Sequence, residues 1–91
     1  MIERLSLNAL KFFYFVAQYG SVTIAANKLC VTQSAVSKQI YNLEDSLGIV
    51  LFDRKKKKLY LTSQGTLLFN SCQKTFTELD ECLIELKKKY I

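Results

Sequence analysis

Side chains able to bond to nucleic-acid bases or phosphates lie close together in the middle of the chain: Gln33, Ser34, Ser37, Lys38 and Tyr41. At about 100° per residue, a helix would gather them on one side. Gln can form two hydrogen bonds to adenine, Ser can bond to bases or phosphates, and Lys can bond to guanine or phosphate. This pattern favours a face that enters a DNA groove over a solvated face, which usually carries Glu and Lys pairs.

The helix that carries this face has recognisable start and stop residues. Thr32 is a good N-cap, so we expect a helix from Gln33 to Leu47 that ends at Gly48. The free N–H groups of its first turn should attract a phosphate. On the other side, apolar residues spaced four, three and four apart should pack on the core: Val36, Ile40, Leu43 and Leu47.

A shorter helix precedes it, capped by Ser21 and running through Leu29. Its small Ala25 and Ala26 permit a neighbouring helix to approach closely. Because only the turn at residues 30–31 separates the two helices, the segment predicts a helix-turn-helix.

A first helix, predicted between Ser6 and Gly20, should be the scaffold. An aromatic stripe at helical spacing is far more often core than a base-stacking platform. The residues concerned are Phe12, Phe13, Tyr14, Phe15 and Tyr19.

Basic residues are concentrated between two short apolar runs further along the chain. The apolar run after Gly48 and the second run at 59–61 predict a two-stranded wing. A charge run is usually only solvated, but beside a recognition helix it would lie along the DNA backbone or in the minor groove. The residues of this run are Arg54, Lys55, Lys56, Lys57 and Lys58.

The last third of the chain predicts one long helix, capped by Thr62 and running from Ser63 to about Lys89. Apolar residues alternate three and four apart along it: Phe69, Cys72, Phe76, Leu79, Leu83, Leu86 and Tyr90. We expect this seam to pair with a second copy and make a homodimer. The alternative is a single helix folded back over its own core.

Composition narrows the class of protein. At 91 residues the chain is one domain, and its net charge of +5 favours an acidic partner, either nucleic acid or an anionic membrane surface. There is no apolar run of membrane-spanning length and no secretory segment at MIERLSLNAL, so we expect a cytoplasmic protein without a membrane partner. Three cysteines without histidine support neither a disulfide framework nor a zinc site, and we expect no metal or cofactor.

Five linked motifs follow one another along the chain: L-x-x-L-x-x-F from Leu7, G-S-x-T-x-A-A-x-x-L from Gly20, V-T-Q-S-A-V-S-K-Q-I-x-x-L-E-x-x-L-G from Val31, L-F-x-R from Leu51 and L-T-x-x-G from Leu61. In this order they resemble the N-terminal domain of LysR-type transcriptional regulators. The resemblance covers nearly the whole chain. It implies a mainly α winged helix-turn-helix over residues 1–62, followed by a linker (dimerisation) helix over 63–91.

The same resemblance implies sequence-specific binding to double-stranded DNA and regulation of transcription by a dimer or higher oligomer, with a tetramer open to full-length members. It places DNA contacts at Thr32, Gln33, Ser34, Ser37 and Lys38, and at Arg54 and the lysines after it. A small-molecule effector would bind a C-terminal domain that this sequence does not contain. Three positions depart from the family pattern: Ser34 replaces a frequent proline, Ile24 a basic residue and Lys56 a glycine.

Other functions remain open from the residues themselves. A winged fold also serves protein-interaction modules and non-specific nucleoid proteins, because fold does not fix function. An enzyme is disfavoured, since the sequence has no histidine, nucleophile elbow or P-loop.

Overall fold

The protein is described by a computed structural model that covers residues 1–54 and 58–90. After a 3-10 turn at Ile2–Arg4 come α1 (Leu7–Tyr19), α2 (Val22–Leu29), α3 (Gln33–Leu47), β1 (Phe52–Asp53), β2 (Tyr60–Leu61) and α4 (Ser63–Tyr90). The two strands are antiparallel, with Phe52 opposite Leu61. The predicted class, a mainly α winged helix-turn-helix followed by a long helix, is confirmed.

Each predicted N-cap forms the expected hydrogen bond. The hydroxyls of Ser6, Ser21 and Thr32 accept from the backbone N–H three residues further on. Thr62 does the same for α4, accepting from the N–H of Gly65 at 3.0 Å. Local capping chemistry therefore sets where all four α-helices begin.

The ends of the first three helices share a left-handed residue. Gly20 and Gly48 have φ of 64° and 68°, and Cys30 ends α2 with φ of 57°. The backbone of a residue with a side chain rarely adopts this conformation, so Cys30 carries a small strain that the two glycines avoid. This strained residue forms the turn of the helix-turn-helix.

The core lies where α1, α2 and α3 meet the base of the wing. Phe13 is fully buried, and its ring centroid lies 5.3 Å from that of Phe52 in β1. The residues buried in this core are Ala9, Phe13, Val16, Ala25, Ala26, Val36, Ile40, Leu43, Leu51, Phe52 and Cys72. The prediction that the aromatic residues of α1 are scaffold is confirmed for Phe12, Phe13, Tyr14 and Phe15, whereas Tyr19 is 38% exposed and lies outside this core.

The first half of α4 packs on α1 of the same chain, which corrects part of the predicted dimer seam. Cys72 is only 6% exposed, so the prediction that it faces a second copy was wrong. Phe69 and Phe76 are half-buried, and both rings lie 5.3 Å from the ring of Tyr14. The aromatic surface of α1 covers these positions because aromatic pairing and apolar burial both favour that contact.

The second half of α4 extends past this contact. Its remaining seam residues are exposed: Leu79, Leu83, Leu86 and Tyr90. The principal extents of the molecule, 48 × 29 × 20 Å, reflect this projecting helix. Over the described part of the chain, no helix combines the length and apolarity needed to cross a membrane.

Candidate nucleic-acid interface

The polar face predicted on α3 is exposed. Gln33, Ser34, Ser37, Lys38 and Tyr41 are all open to solvent, whereas the opposite face is buried in the core. At 3.6 residues per turn these side chains occupy an arc of about 140°. The helix therefore presents one continuous polar surface with small side chains nearest its start.

The start of α3 is suited to an anion. The Thr32 hydroxyl accepts from the Ala35 N–H at 3.1 Å, and its own hydrogen stays able to donate. The first N–H groups of a helix lack partners within the helix, and the helix dipole adds partial positive charge there. A phosphate is the ligand that such an end attracts.

A cleft of about 410 Å³ lies between α3 and the wing. Ser37 and Tyr41 line it from α3, and Arg54 and Leu59 line it from the wing. Its floor is mostly apolar and comes from Val16, Val22, Ile40 and Phe52. The structure thus brings two parts of the predicted DNA-binding set to the same surface.

Arg54 is held by an intramolecular partner. Its Nη2 lies 3.0 Å from Oε1 of Glu44, and its side chain remains 52% exposed. The prediction grouped Arg54 with the DNA-contacting lysines; the structure adds an ion pair that occupies part of its guanidinium. A guanidinium has five N–H donors, so this ion pair leaves others directed to solvent.

Most of the remaining basic run lies outside the described residues. Lys55, Lys56 and Lys57, all predicted DNA contacts, belong to the part of the chain for which the structure gives no description. Lys58 is described and is exposed just before β2.

Sequence reasoning missed Glu44. Its carboxylate is buried at 8% exposure and accepts from the N–H groups of Leu51, at 2.7 Å, and Phe52, at 3.3 Å. A signal was available, because Glu44 follows Ile40 by one helical turn and therefore lies beside the apolar face. A carboxylate at such a position needs donors, and Arg54 is the basic residue that follows β1.

The base of the wing is also fastened to α4. The carbonyl of Leu51 accepts from the backbone N–H of Thr62 at 2.9 Å and from its hydroxyl at 3.2 Å. Gly65 packs so closely on this carbonyl that a Cβ there would collide with its oxygen. Only glycine fits at this crossing without a backbone shift.

The exposed half of α4 borders a groove of about 640 Å³ against α1. Leu7 and Phe15 contribute apolar surface from α1, and Leu79 and Leu83 contribute it from α4.

The three cysteines differ in their surroundings. Cys72 lies in the packed first half of α4, where burial raises the pKa of its thiol. Cys30 and Cys82 are exposed. No group of three or more His, Cys, Asp or Glu among the described residues is placed to hold a metal ion.

Comparison with known proteins identifies this arrangement. Residues 7–66 match the family described as bacterial regulatory helix-turn-helix protein, lysR family. The chain belongs to the LysR family. The match spans α1 to the first turn of α4, so it includes both the exposed face of α3 and the wing in this LysR-family chain.

Relatives of this LysR-family chain are named as transcriptional regulators. The glycine cleavage system transcriptional activator homolog of Haemophilus influenzae is 50% identical over 82 residues, covering 89% of this chain and 27% of that protein. The glycine cleavage system transcriptional activator of Escherichia coli K12 is 43% identical over 83 residues, covering 91% and 27%. The chain therefore spans about a quarter of the length of these relatives.

Solved structures of the family share the fold. The DNA-binding domain of BenM, in a complex with catB site 1 DNA, superposes with a TM-score of 0.83 at 33% identity, covering 92% of this chain and 94% of that one. A full-length BenM variant gives a TM-score of 0.81 at 32% identity, covering 96% of this chain and 28% of that one.

Proposed function

We propose that this LysR-family chain binds double-stranded DNA sequence-specifically, with α3 in the major groove, as the DNA-reading part of a transcriptional regulator. The observation that carries the proposal is the exposed polar face of α3 beside the wing, in a chain whose structural relatives include a domain solved on DNA. An α-helix fits the major groove, where each base pair presents a distinct pattern of donors and acceptors.

The residues of α3 divide into two roles. Gln33, Ser37 and Lys38 point from the exposed face toward base edges, where Gln suits adenine and Lys suits guanine. Thr32, Ser34 and the helix N-terminus bind a phosphate and set the depth of insertion. Tyr41 lies further along and contacts the backbone from the cleft beside the wing.

The wing supplies phosphate contacts that do not depend on sequence. The four lysines of the wing follow Arg54 in the sequence, and the charge of this run makes binding salt-dependent: Lys55, Lys56, Lys57 and Lys58. Arg54 joins them through the donors that its bond to Glu44 leaves directed to solvent.

A second copy of the chain packs against the exposed half of α4 and forms a dimer with two DNA-binding domains. Leu79, Leu83, Leu86 and Tyr90 are between 47% and 78% exposed, and burying them against another copy removes apolar surface from water. Two α3 helices would then read two half-sites about one helical turn apart. We infer further assembly, up to a tetramer, for a longer chain with an effector-binding domain. Binding to DNA would place the regulator at the bacterial nucleoid.

Selection of bound sites from a random duplex pool tests this function. We expect enrichment of a two-fold symmetric site, with binding at least about 10³-fold tighter than to scrambled DNA at the same salt concentration. Equal affinity for all duplexes would instead indicate a non-specific nucleoid module. Absence of salt-sensitive DNA binding would indicate a protein-interaction module.

A further inference from the structure

Glu44 is the one buried charged side chain among the residues that the structure describes. It belongs to α3, yet the donors that its carboxylate accepts from lie at the base of the wing. A buried carboxylate is costly unless it is paired and hydrogen-bonded, so these bonds are needed to keep it in place.

These hydrogen bonds compensate the charge of Glu44 and also hold the base of the wing in position beside α3. Oε2 accepts from two consecutive backbone N–H groups, those of Leu51 and Phe52, and the Arg54 guanidinium spans both carboxylate oxygens at 3.0 and 3.4 Å. Phe52 begins β1, which pairs with β2, and β2 begins two residues after Lys58. This carboxylate therefore bonds α3 directly to the start of the wing, in addition to the core packing of Leu51 and Phe52.

We propose that Glu44 is a positioning residue for DNA binding, which holds the base of the wing beside α3 so that Lys58 and the polar face of α3 engage one duplex together. The inference rests on the proposed function. It makes Glu44 important for affinity although it is buried and makes no contact with DNA.

A double-mutant cycle tests the coupling. In Glu44→Gln the amide NH₂ would face a donor, either Arg54 or a backbone N–H, so the wing loses part of its fixed geometry. One phosphate contact contributes about 0.9 to the salt slope, which is roughly eightfold in affinity at 0.1 M relative to 1 M salt. We expect Lys58→Gln to reduce DNA affinity by up to this factor in the wild type, and by less than about twofold in the Glu44→Gln background.

Asp45→Asn is the matched control, because Asp45 is the next residue of α3, is exposed and carries the same charge. In the Asp45→Asn background, the loss of DNA affinity caused by Lys58→Gln should equal the loss in the wild type. If Glu44→Gln unfolds the domain, Arg54→Lys replaces it, since Lys keeps the charge but cannot span both carboxylate oxygens.

The outcomes separate the two proposals. An equal cost of Lys58→Gln in all backgrounds, or no cost in the wild type, overturns the positioning role while sequence-specific binding stands. Failure of the wild type to prefer any sequence overturns the proposed function itself.

Discussion

Gln33 lies in the first turn of α3, where the proposed docking would bring its side chain to base edges and the helix N-terminus to a phosphate. Gln33→Ala should relax the base preference at one position of the site, with a loss of about 1 to 3 kcal/mol, and leave binding to random DNA nearly unchanged. Competition binding against all four bases at each position measures this.

Gln39→Ala is the control for that prediction. It makes the same chemical change on the same helix, but Gln39 is half-buried and lies outside the polar face. A uniform loss of affinity across all sequences in Gln33→Ala would mean that Gln33 only positions the backbone.

Cys72 should make stability depend on alkaline pH. Burial raises its pKa in the folded state, so its contribution to the free energy of unfolding is fully present below the unfolded thiol's pKa of about 8.5 and is lost as pH rises through the folded pKa. Denaturant melts between pH 7 and 10 should therefore show a smaller alkaline loss in Cys72→Ala than in the wild type. Cys82→Ala, at an exposed position of the same helix, should keep the wild-type slope; equal slopes in all three proteins would contradict the assignment.

Residue identity predicted the exposed members of the site better than the buried ones. The polar face of α3 follows from helical spacing alone, because an amphipathic helix has one side to bury. The partners of Glu44 do not follow, since its donors come from a segment that meets α3 only after the chain has turned. A charge beside an apolar face indicates that a partner exists without indicating which one.

At the scale of elements, the sequence places five consecutive basic residues, 54–58, between the two strands of the wing. Replacing Lys56, Lys57 and Lys58 by Gln should reduce the slope of log K against log salt by roughly 3 if all three meet phosphates. Titrations at several salt concentrations give the slope. Lys87, Lys88 and Lys89 near the end of α4 allow the same triple change as a control, and an unchanged slope in the wing variant would remove the wing from the interface.

The helix boundaries were predictable because caps are local, whereas the role of α4 was not. Its heptad spacing indicates an apolar stripe but does not say what covers it. The first half meets the aromatic rings of α1, with Tyr14 stacked on Phe69. The second half is not covered in this way, because Leu79 and Leu83 only line an open groove against α1 and its leucines stay exposed.

At the scale of the whole molecule, those exposed leucines predict self-association. Leu83→Asp should convert a dimer to a monomer, because a charge in a paired apolar seam loses its hydration. Sedimentation equilibrium measures the mass. Leu67→Asp is the control, since Leu67 is 75% exposed on the opposite side of the same helix and its replacement should leave the mass unchanged; a wild-type mass for Leu83→Asp would contradict the predicted interface.

The close contact of Gly65 and Thr62 with the Leu51 carbonyl has a consequence for how accurately two copies could be spaced. Helix α4 is about 40 Å long at 1.5 Å per residue, and its first half is held against α1 and the base of the wing, so roughly 20 Å projects beyond Phe76. A tilt of about 10° of this projecting half would move its far end by roughly 3.5 Å, which is close to one base-pair step of 3.4 Å. In the proposed dimer, α4 would act as a lever arm, and the rigidity with which its first half is held would limit the error in the distance between the two DNA-binding domains.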